Sequence, residues 1–418
     1  MRRIKATYKI ITPMFISGEN QKICELRPPS FKGVLRFWYR AIAFPYYKNN
    51  WQEVKKREKQ LFGSTSGKSK ISITINHNIC REEINYKIRD GIGVGLSYLG
   101  YGFFKIQKGN IKQIRCSIKP NTTFTVVLSL NSAVSDEEKE LIIKSLQAIS
   151  LFGGMGSRTR NGFGSVNLVS LQDDKGEIKW CQPTDINELK KTISKFWTSM
   201  ELSSELPEYT AFCTHSAISI ITPSRNYKKA WDFLNEIGEE MIKYRSYGRN
   251  GKLPRLHARP ERNFRGDHDI IYDFINKICI NNPNHNKIGI DNHPERVVFG
   301  LPHNYFIRKR GTDYQIKVTP KNTGRRASPL FIHIHEINKN YYAIISFLPA
   351  KFLPKGEKII ISGEKREKET KKRTKKETKC KNKIVGIEDF QPVVNFIDRF
   401  KANEVFRIDN KTMQGGCP

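Results

Sequence analysis

The period of the apolar positions changes along the chain, and each change marks an element. Residues 3–12 (RIKATYKIIT) alternate loosely and are rich in β-branched side chains, which predicts a first strand closed by Pro13. From Ser30 to Phe44 the spacing becomes helical. Pro28 and Pro29 precede this helix, Ser30 is the expected N-cap, and Val34, Phe37, Trp38, Ala41 and Ile42 share its apolar face. Strands are expected at 70–76, 111–118 and 123–130. Ser135 with Glu138 reads as a capping box, opening a helix with Leu141, Ile142, Leu146 and Ile149 on one side. A glycine-rich stretch at 153–164 and the strand VNLVS complete the order β-α-β-β-α-β.

The order then repeats. AISIIT (217–222) is a strand ended by Pro223, and Tyr227, Ala230, Trp231, Leu234, Ile237 and Met241 recur at helical spacing. Residues 246–295, rich in Gly, Pro, Asn, His and charge, read as an insertion with a short helix near 269–279. Strands are expected at 296–299, 304–308, 330–335 and 341–347, a helix at 390–400 and a last strand at 404–408. IITP stands at 10–13 and again at 220–223, each time at the end of the opening strand. The expected fold is therefore α+β, with two ferredoxin-like (RRM-like) domains carrying insertions. The first spans 1–175 and the second 210–418, joined by a linker at 176–209.

Composition sharpens this reading. A hydrophobic fraction of 38% supports a real core, and no run of 18 apolar residues reads as a membrane-spanning helix. The start MRRIKATYKIITPMF lacks the apolar stretch of a secretory signal. Lys and Arg number 73 against 41 Asp and Glu, a net charge of +32. Such a field attracts polyanions, nucleic acid foremost. The segment 364–383 holds eleven lysines and arginines against four glutamates, and is expected to be a mobile loop. The eight cysteines show no CxxC and no regular spacing, the pattern of isolated thiols in a reducing cytoplasm.

Four basic or glycine-rich segments are candidate sites. In the stretch 153–164, Gly154, Gly156, Gly162 and Gly164 let the backbone approach a ligand, and Arg158 and Arg160 supply bidentate donors. Lys32, Arg36 and Arg40 stack at i, i+4 and i+8 on the first helix, where a phosphate chain would relieve their repulsion. Lys68 closes a Gly/Ser loop that imitates a P-loop, but Gly63 and Gly67 enclose only three residues and a strand follows instead of a helix. Arg325 and Arg326 precede a buried-looking strand. The competing reading of each segment is an ordinary turn or a solvated face. His333 and His335 share a strand face without an evident third ligand. His257 lies among arginines and His268 between two aspartates, and neither has a placed partner. No cofactor, metal site or catalytic constellation is read.

RPPSFKGVLRFWYRA (27–41), LFGSTSG (61–67), SYLGYG (97–102), LFGGMGSRTRNGFGSV (151–166) and RRASPLFI (325–332) together resemble a known family. It is the RAMP subunit family designated number one of the CRISPR type III-B (Cmr) effector complexes. The resemblance runs from about 5 to 408. It implies two ferredoxin-like domains in one subunit, with guide RNA, target RNA and the other Cmr subunits as partners, and cleavage residing elsewhere in the complex. The expected role is a non-catalytic, cytoplasmic RNA-binding component that holds the guide near its 3′ portion. Two other readings stay open: a metal-independent endoribonuclease of the guide-processing RAMP class, and a basic scaffold that touches only protein.

Overall fold

In the computed structural model the described residues are 2–79, 81–84, 86–89, 92–108, 110–248, 252–253, 256, 258–276, 293–309, 312–366, 378–381 and 389–409. The chain runs through β1 (Arg2–Ile10), α1 (Pro28–Tyr46), α2 (Trp51–Phe62), β2 (Ile71–Asn76), α3 (Arg81–Ile84) and α4 (Val94–Leu99). A hairpin of β3 (Phe104–Gln107) and β4 (Asn110–Gln113) leads to β5 (Thr123–Leu130), α5 (Asp136–Leu151), β6 (Val166–Gln172), β7 (Ile178–Trp180) and α6 (Ile186–Thr198). Next come β8 (Ala217–Ile221), α7 (Ala230–Arg245), α8 (Arg265–Phe274), β9 (His303–Lys309) and β10 (Thr312–Pro320). Last are β11 (Leu330–Ile337), β12 (Asn340–Phe347), β13 (Ile359–Arg366), β14 (Thr378–Lys381), α9 (Gln391–Asp398) and β15 (Glu404–Asp409).

Two compact units emerge. The first comprises Met1–Glu240, Leu330–Pro349 and Arg399–Pro418, and the second Met241–Pro329 and Ala350–Asp398.

Besides the β3-β4 hairpin, the first unit holds two larger antiparallel sheets, ordered β2-β5-β1-β6-β7 and β11-β12-β8-β15. In each, four strands lie in the spatial order second, third, first, fourth of their appearance along the chain, the order of a split β-α-β unit. Register follows the two-residue period. Ile4, Ala6, Tyr8 and Ile10 face the core from β1, and Tyr8, Ala6 and Ile4 stand opposite Phe124, Val126 and Leu128 of β5. Helix α5 covers that face, and the buried Tyr8 hydroxyl donates to the Leu146 carbonyl at 2.9 Å. The capping box forms: Glu138 N donates to Ser135 Oγ, and Ser135 N donates to the Glu138 carboxylate, each at 3.1 Å.

Several expectations need correction here. Helix α1 begins at Pro28, with Arg27 at the N-cap and Ser30 inside the first turn. Proline's fixed φ and missing N–H suit that turn, so Pro28 and Pro29 start the helix and do not stand before it. Residues 176–209 are more than a linker. They carry β7 and α6, whose Leu189, Ile193, Phe196 and Trp197 are buried at i, i+4, i+7 and i+8.

The second unit is built from two insertions far apart in sequence. Strands β14-β13-β10-β9 form one antiparallel sheet, so the expected strand at 304–308 belongs to inserted structure. The expected strand at 296–299 is a 3-10 turn, Glu295–Phe299. The fully buried Asp267 carboxylate takes the backbone N–H groups of Glu295 and Arg296 at 2.6 and 3.1 Å, and Arg296 Nε at 2.9 Å. With its N–H groups turned onto one carboxylate, this apolar stretch cannot extend into a ladder. Of the lysine-rich segment, its first residues end β13 and Thr378–Lys381 form β14, while 367–377 and 382–383 lie outside the described residues.

Candidate nucleic-acid interface

The basic helix is less free than its sequence implied. Arg36 Nε donates to Glu58 Oε1 at 2.8 Å, and Arg40 Nη1 donates to the same oxygen. Glu58 sits on α2 with its side chain 8% exposed. The repulsion that pointed to a phosphate is thus relieved inside the protein by a carboxylate, and Arg36 and Arg40 bridge α1 to α2. Lys32 carries no such carboxylate partner among the described residues. Burial first and Arg36 second hold its pKa below the ordinary lysine value.

The glycine-rich loop is also a piece of internal architecture. Met155 N donates to the Gly164 carbonyl at 2.9 Å, Gly164 N to Pro13 at 3.1 Å, and Ser157 N to Phe15 at 2.8 Å. Asn161 N and Gly162 N are bonded within the loop. These five N–H groups are spent on the fold, so a phosphate nest across the whole loop is ruled out. Two glycines are required by conformation and contact. Gly156 has φ +97°, and a Cβ there would lie 2.5 Å from the Phe15 carbonyl. Gly164 has φ +64°, with a Cβ 1.9 Å from the Met155 carbonyl. A Cβ on Gly154 would press on the Gly164 carbonyl, and one on Gly162 on Leu234.

What the loop offers is its edge. Where it passes α1 it leaves a cleft of about 260 Å³ bounded by Gly33 and Phe37 of α1, Gly154, Thr159 and Arg160 of the loop, and Phe331 of β11. The Arg160 guanidinium lies 4.3 Å from the Phe331 ring centroid and 5.5 Å from that of Phe37. The Arg160 carbonyl accepts from Ile332 N at 2.9 Å, which sews the loop to β11. Asn161 adds a donation to the Leu99 carbonyl at 2.8 Å. A half-buried guanidinium resting against a pair of aromatic rings whose centroids are 6.0 Å apart is pre-positioned for charge-assisted bonds to phosphate and for stacking on a base. Arg158, two residues before Arg160, has φ +62° and donates to the Tyr101 carbonyl at 2.9 Å, and Tyr101 itself is 72% exposed.

The structure therefore joins α1 to Gly154 and Arg160, sets Arg158 against the Tyr101 carbonyl instead, and uses Gly156, Gly162 and Gly164 to shape the loop. It does not bring in every candidate. Lys68 lies elsewhere in the first unit, beside α2. Arg325 and Arg326 belong to the second unit. There Arg325 is exposed, while Arg326 donates to the Lys351 carbonyl at 2.7 Å and pairs by backbone with Leu301. His333 and His335 are buried with rings 5.7 Å apart, and His333 Nδ1 donates to the Gly153 carbonyl at 2.7 Å. Burial lowers their pKa values to about 4 and about 3. His268 stacks on Tyr247 at 3.9 Å, and the Asp267 beside it is committed to the 3-10 turn. His257 lies outside the described residues. Among the described residues no group of three His, Cys, Asp or Glu side chains is placed to hold a metal, and no helix is long and apolar enough to cross a membrane.

Phe37 and Phe331 are cleft residues that the sequence did not reveal as such. Phe37 reads there as part of an apolar face, and no spacing links it to a strand almost 300 residues later. The one available signal was that Phe37 and Phe331 each fall inside a segment carrying the family resemblance.

The model of the RAMP superfamily matches residues 7–167. "CRISPR system Cmr subunit Cmr1-2" of Pyrococcus furiosus is 31% identical over 175 residues, covering 39% of this chain and 93% of that protein. The chain belongs to the RAMP superfamily. It is homologous to Cmr1 subunits, since "CRISPR system Cmr subunit Cmr1-1" of the same organism is 26% identical over 344 residues, covering 79% of this chain and 82% of that one. The crystal structure of Cmr1 from Pyrococcus furiosus in its apo form aligns over 85% of this chain and 90% of that chain, with a TM-score of 0.49 and 21% identity.

Proposed function

We propose that this chain is the Cmr1-type subunit of a type III-B CRISPR effector complex, a cytoplasmic, non-catalytic component that holds guide RNA near its 3′ portion and helps capture target RNA. The observation that carries the reading is Arg160, set against the Phe37–Phe331 ring pair at the mouth of a glycine-floored cleft. The +32 net charge supplies the long-range attraction, and homology to Cmr subunits supplies the assembly. In this reading each four-stranded set is the sheet of one ferredoxin-like domain, 1–175 and 210–418, and the second unit is an elaboration of the latter. Arg325 and Arg326 add a further RNA contact there.

The test is guide-RNA retention in the reconstituted complex. Arg158→Ala with Arg160→Ala removes two pre-positioned cations, while a Gly/Ser linker in place of 364–383 removes a net seven positive charges. Held side chains lose less entropy per contact, so the double variant should weaken retention tenfold or more, each charge-assisted bond being worth about 1.5–3 kcal/mol. The linker variant should cost less. The reverse order would reduce the glycine-rich segment to a turn, and RNA cleavage by the purified chain would contradict the non-catalytic role.

A further inference from the structure

On α2, Gln52, Lys55, Lys56, Lys59 and Gln60 recur at i, i+3, i+4, i+7 and i+8, one continuous exposed stripe. Such a spacing normally builds an apolar face; here it is filled with ammonium and amide donors. The buried side of the same helix is Val54, Glu58, Leu61 and Phe62. Facing the stripe is the loop that returns from α2 to β2. Ser64 and Gly67 close it by paired backbone bonds of 3.0 and 3.4 Å, which present Ser66 and Lys68 outward, and Lys70 follows at the start of β2. Between stripe and loop runs a groove of about 660 Å³. Five lysines line it, and no carboxylate, apolar or aromatic side chain does. Among the described residues Lys55, Lys59, Lys68 and Lys70 have no carboxylate within ion-pair distance, and Lys56 reaches Glu53 only at 3.8 Å.

Like charges crowded into a concave surface repel one another, and the molecule leaves them unneutralised here, whereas it neutralises Arg36 and Arg40 with Glu58 one face away. We infer that this groove is a second RNA site, which takes the phosphate backbone of a single strand without reading its bases. The inference rests on the RNA-binding role proposed for the chain. The lining decides the class of ligand. A protein partner needs buried apolar or aromatic anchors, and the groove supplies none. Base stacking needs rings that line the site, as in the Arg160 cleft, and none lines this groove. Lysines and hydroxyls suit phosphate oxygens as point charges and donors, and the ring beside them, Tyr209, carries Lys55 Nζ 5.2 Å from its centroid.

The experiment is fluorescence anisotropy of the full chain with labelled single-stranded RNA across a salt series. Lys55→Gln, Lys59→Gln and Lys68→Gln, all exposed, form one triple variant. Lys175→Gln, Lys191→Gln and Lys195→Gln, equally exposed, form a control with the same net charge. Wild type and control should share one slope of log affinity against log salt. The groove variant should lose about 2 from that slope, at roughly 0.7 per phosphate contact on single strands, and bind at least tenfold more weakly on poly(U) and mixed sequence alike. Equal behaviour of the two triple variants overturns the groove while leaving the RNA-binding role intact. Displacement of RNA by polyglutamate at matched charge reassigns the groove to acidic polypeptides and also overturns it. Failure of wild type to bind RNA overturns both readings.

Discussion

Glu58 ties two arginines of α1 to α2, and its side chain is nearly inaccessible. Glu58→Gln keeps the shape but strands two guanidiniums, so urea unfolding should show a loss of about 1–3 kcal/mol. The same change frees two cations, and RNA affinity should rise while stability falls. If affinity falls in parallel with stability, Arg36 and Arg40 already serve RNA in the native protein. Glycines in this region divide by cause. Gly164→Ala meets both a positive φ and the Met155 carbonyl, and thermal unfolding should report a loss above about 2 kcal/mol. Gly33→Ala meets nothing within 4 Å inside a helix, so it should gain about 0.5–1 kcal/mol while narrowing the cleft and weakening RNA binding. The buried histidines set an acid limit. In the unfolded chain His333 and His335 titrate near the ordinary value of about 6.5, whereas burial holds them to about 4 and about 3 in the fold. The unfolded state therefore binds more protons throughout that window. Stability is complete above about pH 6.5 and falls as pH drops towards 4. A urea midpoint measured from pH 7 to 5 should decline, and His335→Leu should flatten the decline.

At the scale of elements, legibility followed the strength of local signals. Helix α5 was readable because its capping box and its apolar side speak together. Helix α2 was hidden because only Val54, Glu58, Leu61 and Phe62 are buried and the rest is charge, so the period carries little apolar weight. The 3-10 turn at Glu295–Phe299 reads as a strand from its apolar content, since the carboxylate that folds it comes from Asp267, 28 residues earlier. That carboxylate also accepts from the Tyr305 hydroxyl at 3.1 Å. Asp267→Ala leaves a buried Arg296 uncompensated and should cost about 3–5 kcal/mol locally. Hydrogen exchange should show this as faster exchange in α8, the 3-10 turn and β9. Unchanged protection there would mean that the turn holds by packing alone.

At the scale of the whole molecule, the sequence predicts a repeated order of elements, and the structure holds two sheets with the same strand order. What no local pattern could show is that residues 241–329 and 350–398 assemble into one unit, because β10 and β13 find each other across the intervening β11–β12 hairpin. The charge was equally plain in the sequence, but its division was not. Part of it is neutralised within the fold, part lines an open groove, and one guanidinium rests against a pair of rings. The claim that Arg160, Phe37 and Phe331 form the seat for RNA is tested most directly by cross-linking. Single-stranded RNA carrying 4-thiouridine is irradiated with the wild-type chain, and the modified peptides are mapped by mass spectrometry. The predicted adducts fall on the peptides holding Phe37, residues 153–164 and Phe331, and disappear in the Arg158→Ala, Arg160→Ala variant. Adducts that avoid all three peptides, or that persist unchanged in that variant, would contradict the assignment.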